Sequence, residues 1–155
     1  MQGNIPQASP SVNQIPAGSD AAIDAVNRLE AAMIKNYEHV HVDTHHSLHG
    51  GVYCRTMMIP EGHLITGAQV NVESTLIISG DVTLYIGGEP VRFTGYHILE
   101  GRSGRKQAAF AHLDTHITMI CHTEAETVEA VEDECTDETD RLMTRRPLLP
   151  KESTQ

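Results

Sequence analysis

The chain has 155 residues, a formal net charge of −10 and an aromatic content of only 4%. This length predicts one domain, and its largely aliphatic apolar residues suit packing in a β-sheet. The acidic charge and the lack of a basic stripe argue against binding to nucleic acid through phosphate contacts. No segment has the apolar length of a membrane span or the order of a signal peptide, so we expect no membrane partner and a protein made and kept in a cytoplasm.

The first two segments predict an arm and a helix. Residues 1–17 are rich in Gln, Asn, Ser and Pro, and they lack an apolar period. Such a segment buries too little apolar surface to offset its ordering entropy, which predicts a flexible arm, or one that becomes ordered on a neighbouring subunit. Residues 18–37 place apolar side chains at helical spacing after Ser19, a favourable N-cap. We expect this helix to pack against a sheet or to pair with its copy in an oligomer.

Residues 38–123 predict a series of short strands. The strongest hairpin signal is Gly87-Gly88, and Gly50-Gly51 predicts another turn. Turn signals recur at roughly the 8–12-residue spacing of all-β sandwiches and barrels, and no helix-length pattern interrupts them. This excludes a parallel βαβ architecture and predicts an antiparallel barrel. The predicted strands are 38–43, 52–59, 63–66, 69–73, 75–78, 82–86, 91–94, 96–99, 106–113 and 116–122.

Residues 124–155 predict an acidic tail with a possible docking segment. The composition changes to acidic residues after 124, which favours a solvated helix or a disordered tail. Val128 and Val131 are the apolar anchors that such a helix would have. Prolines 147 and 150 prevent further helix, and the segment before and between them predicts a docking site for a partner, such as another copy. Its apolar residues are Leu142, Met143, Leu148 and Leu149.

The chain contains ten histidines, and several could meet near the mouth of a barrel. Three neutral imidazoles, with or without a carboxylate, suit a divalent transition metal such as Zn, Fe, Mn or Ni. The candidates lie before the second predicted strand, after the turn at Gly62, and around the last turn. The candidate metal ligands are His46, His49, His63, His112 and His122. A single histidine is more often a surface or hydrogen-bonded residue, so this metal site is a hypothesis.

Two other groups of residues are candidates for chemistry. The three cysteines are odd in number and form no CxxC pair, which argues against a disulfide framework and favours a reducing compartment. Cys121 and His122 are neighbours in a predicted strand and point to opposite faces, so we interpret Cys121 as a buried, inert thiol. The basic loop 102–106 could hold an anionic ligand, receive the acidic tail of a neighbour, or be solvated.

The run Gly51-Val-Tyr-Cys-Arg55, followed by Ile59-Pro-Glu-Gly62, resembles small cupin-like proteins of tailed bacteriophages and prophages. The likeness continues through residues 77–83 and the closing stretch 104–123. The resemblance implies a cupin-like double-stranded β-helix, or jelly-roll, barrel. Cupins that hold a metal usually carry a His pair in the strand after the Ile-Pro-x-Gly turn, and residues 67–75 of this chain contain no His.

Together these features predict an all-β fold with an N-terminal helix and flexible termini. The function that they favour is a phage structural or assembly protein that forms homo-oligomers and binds other phage structural proteins. Its expected location is the cytoplasm of an infected bacterium or the virion. Two alternatives stay open: a metal-dependent cupin enzyme of the isomerase or dioxygenase type, and a binder that sequesters a small molecule such as a signalling nucleotide. The missing His pair favours a role without catalysis.

Overall fold

A computed structural model describes Ile5 and residues 13–145. Within these residues the chain forms eight strands and two α-helices, with a single 3-10 turn at Thr139–Arg141. The elements are β1 (Gln14–Ile15), α1 (Asp20–Asn36), β2 (Thr44–His49), β3 (Val52–Ile59), β4 (Leu64–Thr66), β5 (Ser74–Ile86), β6 (Glu89–Gly101), β7 (Ala108–Ala111), β8 (Thr115–His122) and α2 (Val128–Cys135). Leu148 and Leu149 of the predicted docking segment lie outside the described residues. No helix in the described part of the chain is long and apolar enough to cross a membrane.

The centre of the fold is the long hairpin of β5 and β6. The predicted turn at Gly87-Gly88 is confirmed, since Ile86 pairs with Glu89 across it. The predicted breaks within each arm are not chain breaks, because Gly80 and Gly95 pair opposite each other inside continuous strands. Both glycines have positive φ, a conformation that a side chain disfavours. They bend the hairpin while its ladder of hydrogen bonds continues.

This bend divides the strands into two faces. One face has six strands in the order β1-β6-β5-β8-β3-β2, and the other adds β7 and β4 to the far halves of β5 and β6. Side chains between the faces form the core, and its most buried members are Ile59, Ile78, Val82 and Phe93. The prediction of an all-β barrel is confirmed. The predicted strands 38–43 and 69–73 are absent, and the second segment forms only the bridge from Val70 to Arg105.

The predicted helix is confirmed as α1. Ser19 is its N-cap, and the hydroxyl of Ser19 accepts a hydrogen bond from the backbone N–H of Ala22. Its inner side buries Val26 and Glu30, and Thr66 of β4 donates a hydrogen bond of 2.8 Å to the Glu30 carboxylate. The helix therefore packs on the side of the barrel, through one apolar and one charged residue.

The segments before and after the barrel are more ordered than the sequence predicted. We expected residues 1–17 to be flexible, but residues 14 and 15 form β1, parallel to β6, and Ile15 is almost fully buried. Backbone hydrogen bonds from Glu100 and Arg102 to this strand offset the entropy of ordering it. We also expected a solvated or disordered tail, but α2 buries Val131, Glu132 and Cys135.

Candidate functional site

The structure does not bring the five predicted metal ligands together into one site. His49 and His122 are exposed at the ends of β2 and β8. His63 precedes β4, and its Nδ1 lies 3.1 Å from the backbone oxygen of Glu61. His112 follows β7, and its Nε2 lies 2.7 Å from the hydroxyl of Thr83.

His46 is the predicted ligand that points into the barrel. Its Nδ1 is hydrogen-bonded to the hydroxyl of Tyr53 at 2.6 Å, and the two rings stack. Burial lowers the pKa of His46, which favours the neutral ring. In the described part of the chain, no three His, Cys, Asp or Glu side chains are grouped so that they could hold a metal ion. His46 therefore has a structural partner in place of further ligands.

The interior of the six-stranded face is filled by the chain itself. Tyr53 and Arg55 of β3 point inward beside Met119 of β8, and α2 packs against them with Glu132 and Cys135. Thr127 caps this helix, because its hydroxyl accepts a hydrogen bond from the N–H of Ala130. A cavity of about 10 Å³ remains between these residues, which is room for about one water molecule. The helix therefore occupies the mouth of the barrel.

The charged side chain of Arg105 is buried near this closed mouth. Arg105 is only 4% exposed, and its guanidinium donates hydrogen bonds to the backbone oxygens of Val72 and Arg102 and to the Ser74 hydroxyl. Burial, helped by the nearby charge of Arg55, lowers the pKa of Arg105 to about 10. Three hydrogen-bond acceptors therefore hold this guanidinium inside the barrel.

A buried ion-pair cluster joins the tail to the helix α1. The Lys106 side chain is fully buried, and its Nζ lies 2.8 and 3.0 Å from the two carboxylate oxygens of Glu138. The same Nζ lies 3.6 Å from Glu30 of α1, which also pairs with Arg141. Of the three alternatives for the basic loop, a solvated loop is therefore wrong for Arg105 and Lys106. Lys106 instead receives the acidic tail of its own chain.

Two thiols meet where α2 enters the barrel. Cys121 of β8 and Cys135 of α2 are each 6% exposed and belong to the same core cluster. Both are free thiols, and the Cys135 thiol lowers the pKa of Cys121. The interpretation of Cys121 as buried is confirmed.

A second cavity lies outside the barrel, between α1 and the tip of the β5–β6 hairpin. Its volume is about 140 Å³. Ala22, Val26 and Leu29 line it from the helix, and Tyr85 lines it from the hairpin. These residues give it a largely apolar wall, and the consecutive residues Arg105, Lys106 and Gln107 line it as well.

The closing helix was the main feature that the sequence analysis missed. The sequence analysis gives Val128 and Val131 as the apolar anchors of this helix, and Cys135 lies on the same side, one turn after Val131. Three apolar positions at this spacing are typical of a helix packed against a core, and this signal was available in the sequence.

No protein-family model and no curated protein matches the sequence. Solved structures are similar in fold. The Cupin_2 domain of an XRE family transcriptional regulator from Enterobacter cloacae is 13% identical, with 54% of this chain and 98% of that chain covered and a TM-score of 0.44. Ectoine synthase from P. lautus is 14% identical, with 63% and 75% covered and a TM-score of 0.48. The EutQ protein of Clostridium difficile is 16% identical, with 57% and 69% covered and a TM-score of 0.44.

At these identities the likeness concerns the fold alone. The strand order provides the independent observation, because β5 and β6 each cross from one face to the other and close the barrel around an aliphatic core. The fold is a cupin-like double-stranded β-helix. In this barrel the interior is closed by the helix α2 of the same chain, so the surfaces open to other molecules lie outside the barrel.

Proposed function

We propose that this cupin-fold chain is a structural or assembly subunit that binds copies of itself through the outer face of its six-stranded sheet. The observation that carries the proposal is a broad uncharged surface on this face. We define the outer face by the side chains that alternate with the buried ones along its four central strands. Its central members are Val52, Cys54, Thr56, Met58, Ile77, Tyr96, Ile98, Thr118 and Ile120.

The register places these side chains in continuous rows. Ile98 pairs with Ile77, and Ile77 pairs with Thr118, so one row without charges crosses three strands. Tyr96 and Ile98 are 65% and 58% exposed, which is unusual for large apolar side chains on neighbouring positions of one face. Two such faces can pack on each other as the sheets of a sandwich do, about 10 Å apart.

Electrostatics favours the same surface for self-association. With a formal net charge of −10, two copies repel each other over most of their surfaces. The central members of the outer face include no Asp, Glu, Lys or Arg, and the charged Glu100 at the margin of this face is paired with Arg102. Contact centred on Ile98 therefore buries no unpaired charge. Burial of apolar side chains such as Ile98 would contribute about 1.5–3 kcal/mol each.

The test compares two lysine substitutions at equally exposed isoleucines. Sedimentation velocity of the full chain over a concentration series should show an oligomer, and Ile98→Lys should weaken its association at least about tenfold, because 1.4 kcal/mol corresponds to a factor of ten. The matched control is Ile34→Lys on α1, where Ile34 is 61% exposed. The control should associate like the unaltered chain.

Two outcomes would overturn the proposal. One is that the unaltered chain stays monomeric at the highest concentration of the sedimentation series. The other is dissociation by Ile34→Lys with no effect of Ile98→Lys, which would transfer self-association to α1, the alternative that the sequence left open. Circular dichroism of both variants checks that the barrel stays folded.

The finer parts of the assignment rest on the sequence resemblance. An origin in a tailed phage, binding to other phage structural proteins, and a location in the infected cell or the virion all stay predictions. The same holds for the alternatives of a metal-dependent cupin enzyme and a small-molecule binder. The predictions about phage origin, partners and location are tested by co-purification with phage particles. The unaltered chain and the Ile98→Lys variant are compared in that experiment.

A further inference from the structure

The cavity beside α1 begins where the pairing of two strands ends. β5 and β7 are paired as far as Leu84 and Ala109, and the cavity lies between the hairpin tip that follows Leu84 and residues 105–108. The helix α1 covers this gap, with Ala22 and Leu29 among the residues that line it. Three elements of the chain therefore bound a space of about 140 Å³ on the outside of the barrel.

Contacts on both sides of the cavity hold the helix at this distance from the sheet. Just before α1, the N–H of Gly18 donates a hydrogen bond of 3.0 Å to the backbone oxygen of Gly104. Beyond the cavity, the Glu30 carboxylate accepts a hydrogen bond of 2.8 Å from Thr66 and lies 3.6 Å from the Lys106 ammonium. Close packing leaves few spaces larger than a water molecule in a folded protein. A space of this size that its frame keeps from collapsing therefore indicates a binding site.

Small residues on both sides of the cavity leave the space open. Ala22 and Ala25 share one side of α1 with Val26 and Leu29, at the spacing that directs side chains to a common neighbour. At the hairpin tip, Gly87-Gly88 adds no side chain, and a Cβ at either glycine would have no atom within 4 Å. A larger apolar residue on this side of α1 would therefore fill the space that the alanines leave.

The two cations that line the cavity already have partners. The Arg105 guanidinium donates its hydrogen bonds inside the barrel, and the fully buried Lys106 ammonium lies 2.8 and 3.0 Å from the two carboxylate oxygens of Glu138. An anionic ligand would have to displace these partners, and a buried charge that loses its partner is costly. The other polar side chains of the lining residues, Tyr85 and Gln107, are uncharged. The wall therefore favours a ligand without a charge.

The volume limits the ligand to a single ring. An apolar cavity of about 150 Å³ in another protein binds benzene, whereas pockets for larger ligands measure about 300–1,000 Å³. We propose that this cavity binds a small, uncharged aromatic compound of the size of phenol, with its ring between α1 and the hairpin tip. Tyr85 is 38% exposed, so the ligand enters beside it, and Tyr85 and Gln107 supply hydrogen-bonding groups for one polar substituent. A nucleotide is too large and too charged for this site.

Fluorine NMR of fluorobenzene tests the site in the full chain. The fluorine signal should broaden when the protein is added, and the binding should saturate with a dissociation constant of about 1 mM or tighter. Phenol should displace fluorobenzene. Benzoate has the same ring with a carboxylate, and it should displace the probe at least about tenfold more weakly, because Arg105 and Lys106 already have partners.

Two phenylalanine substitutions on α1 locate the site. Ala22→Phe places a ring in the cavity and should weaken fluorobenzene binding at least about tenfold. The matched control is Ala31→Phe, because Ala31 is exposed and lies on the opposite side of α1, and it should bind the probe like the unaltered chain. The Ile98→Lys variant should also bind the probe normally, since the outer face is not part of the cavity. Ligand binding and self-association are thus tested independently.

Three results would overturn the proposal. The first is that the unaltered chain shows no saturable binding of fluorobenzene, as expected if another part of the chain or a second copy filled the cavity. The second is that benzoate displaces the probe as well as phenol does. The third is that Ala22→Phe leaves the affinity unchanged or that Ile98→Lys lowers it, since either would place the probe elsewhere. The first two use the unaltered sequence, so a folding defect in a variant does not affect them.

Discussion

Replacing Lys106 with methionine removes the cation at the centre of the buried cluster. The fully buried Lys106 ammonium makes two contacts of 2.8 and 3.0 Å with Glu138 and lies 3.6 Å from Glu30. Charge-assisted hydrogen bonds contribute about 1.5–3 kcal/mol each, and removing one partner of a buried pair typically costs about 3–5 kcal/mol. Arg141 still pairs with Glu30, so we expect Lys106→Met to lower the free energy of unfolding by about 3 kcal/mol.

Urea unfolding followed by circular dichroism measures this loss, and an exposed pair supplies the control. Arg102 and Glu100 lie 3.8 Å apart with half or more of each side chain exposed. Arg102→Met should therefore change the free energy of unfolding by less than about 0.5 kcal/mol. The double variant Lys106→Met with Glu138→Gln should lose less than the sum of the two single variants, because the residues interact directly. A loss below about 1 kcal/mol for Lys106→Met would refute the argument.

Two further substitutions test the bend and the charge beside it. Gly80→Ala should destabilise the fold more than Gly95→Ala. Both positions have positive φ, so both variants carry backbone strain. A Cβ at Gly80 would also lie 2.5 Å from the Thr115 hydroxyl, whereas nothing lies within 4 Å of a Cβ at Gly95. Equal thermal stabilities of the two variants would contradict this. The hydrogen bonds from Arg92 hold the pKa of Asp81 below its usual value. The ionised carboxylate therefore stabilises the fold fully above about pH 4, and this contribution is lost as the pH falls through the lowered pKa. Asp81→Asn should remove that part of the acid dependence in urea unfolding, and an unchanged acid dependence would show that other groups cause it.

The sequence predicted the elements whose signals are local. Ser19 and the apolar period after it predicted α1, and Gly87-Gly88 predicted the hairpin turn within one residue. Both depend on backbone preferences that neighbouring residues largely determine. The predicted strands end at residues 78 and 94, next to Gly80 and Gly95, because a glycine within a strand pattern indicates either a turn or a bend. Only the pairing of the two positions, which is a long-range contact, decides between them.

The interior of the barrel was predicted less well, because its contacts join distant parts of the chain. Lys106 was one of five residues in a basic loop, and nothing near it in the sequence indicates that Glu30 and Glu138 meet its side chain. Cys135 likewise belongs to an acidic segment whose composition is typical of solvated chain. The acidic composition of this segment predicted a solvated helix or a disordered tail. The spacing of its few apolar residues is nevertheless sufficient to bury one side of a short helix.

The parallel pairing of β1 with β6 also affects how copies of the chain can meet. An uncovered edge strand offers a row of free backbone N–H and C=O groups that can recruit a strand from another molecule, and such addition can continue into fibres. β1 satisfies that row at residues 100–102 of β6. Contact between copies at this side of the sheet is thus directed away from open-ended strand addition and towards the packing of one face on another, which forms a closed pair.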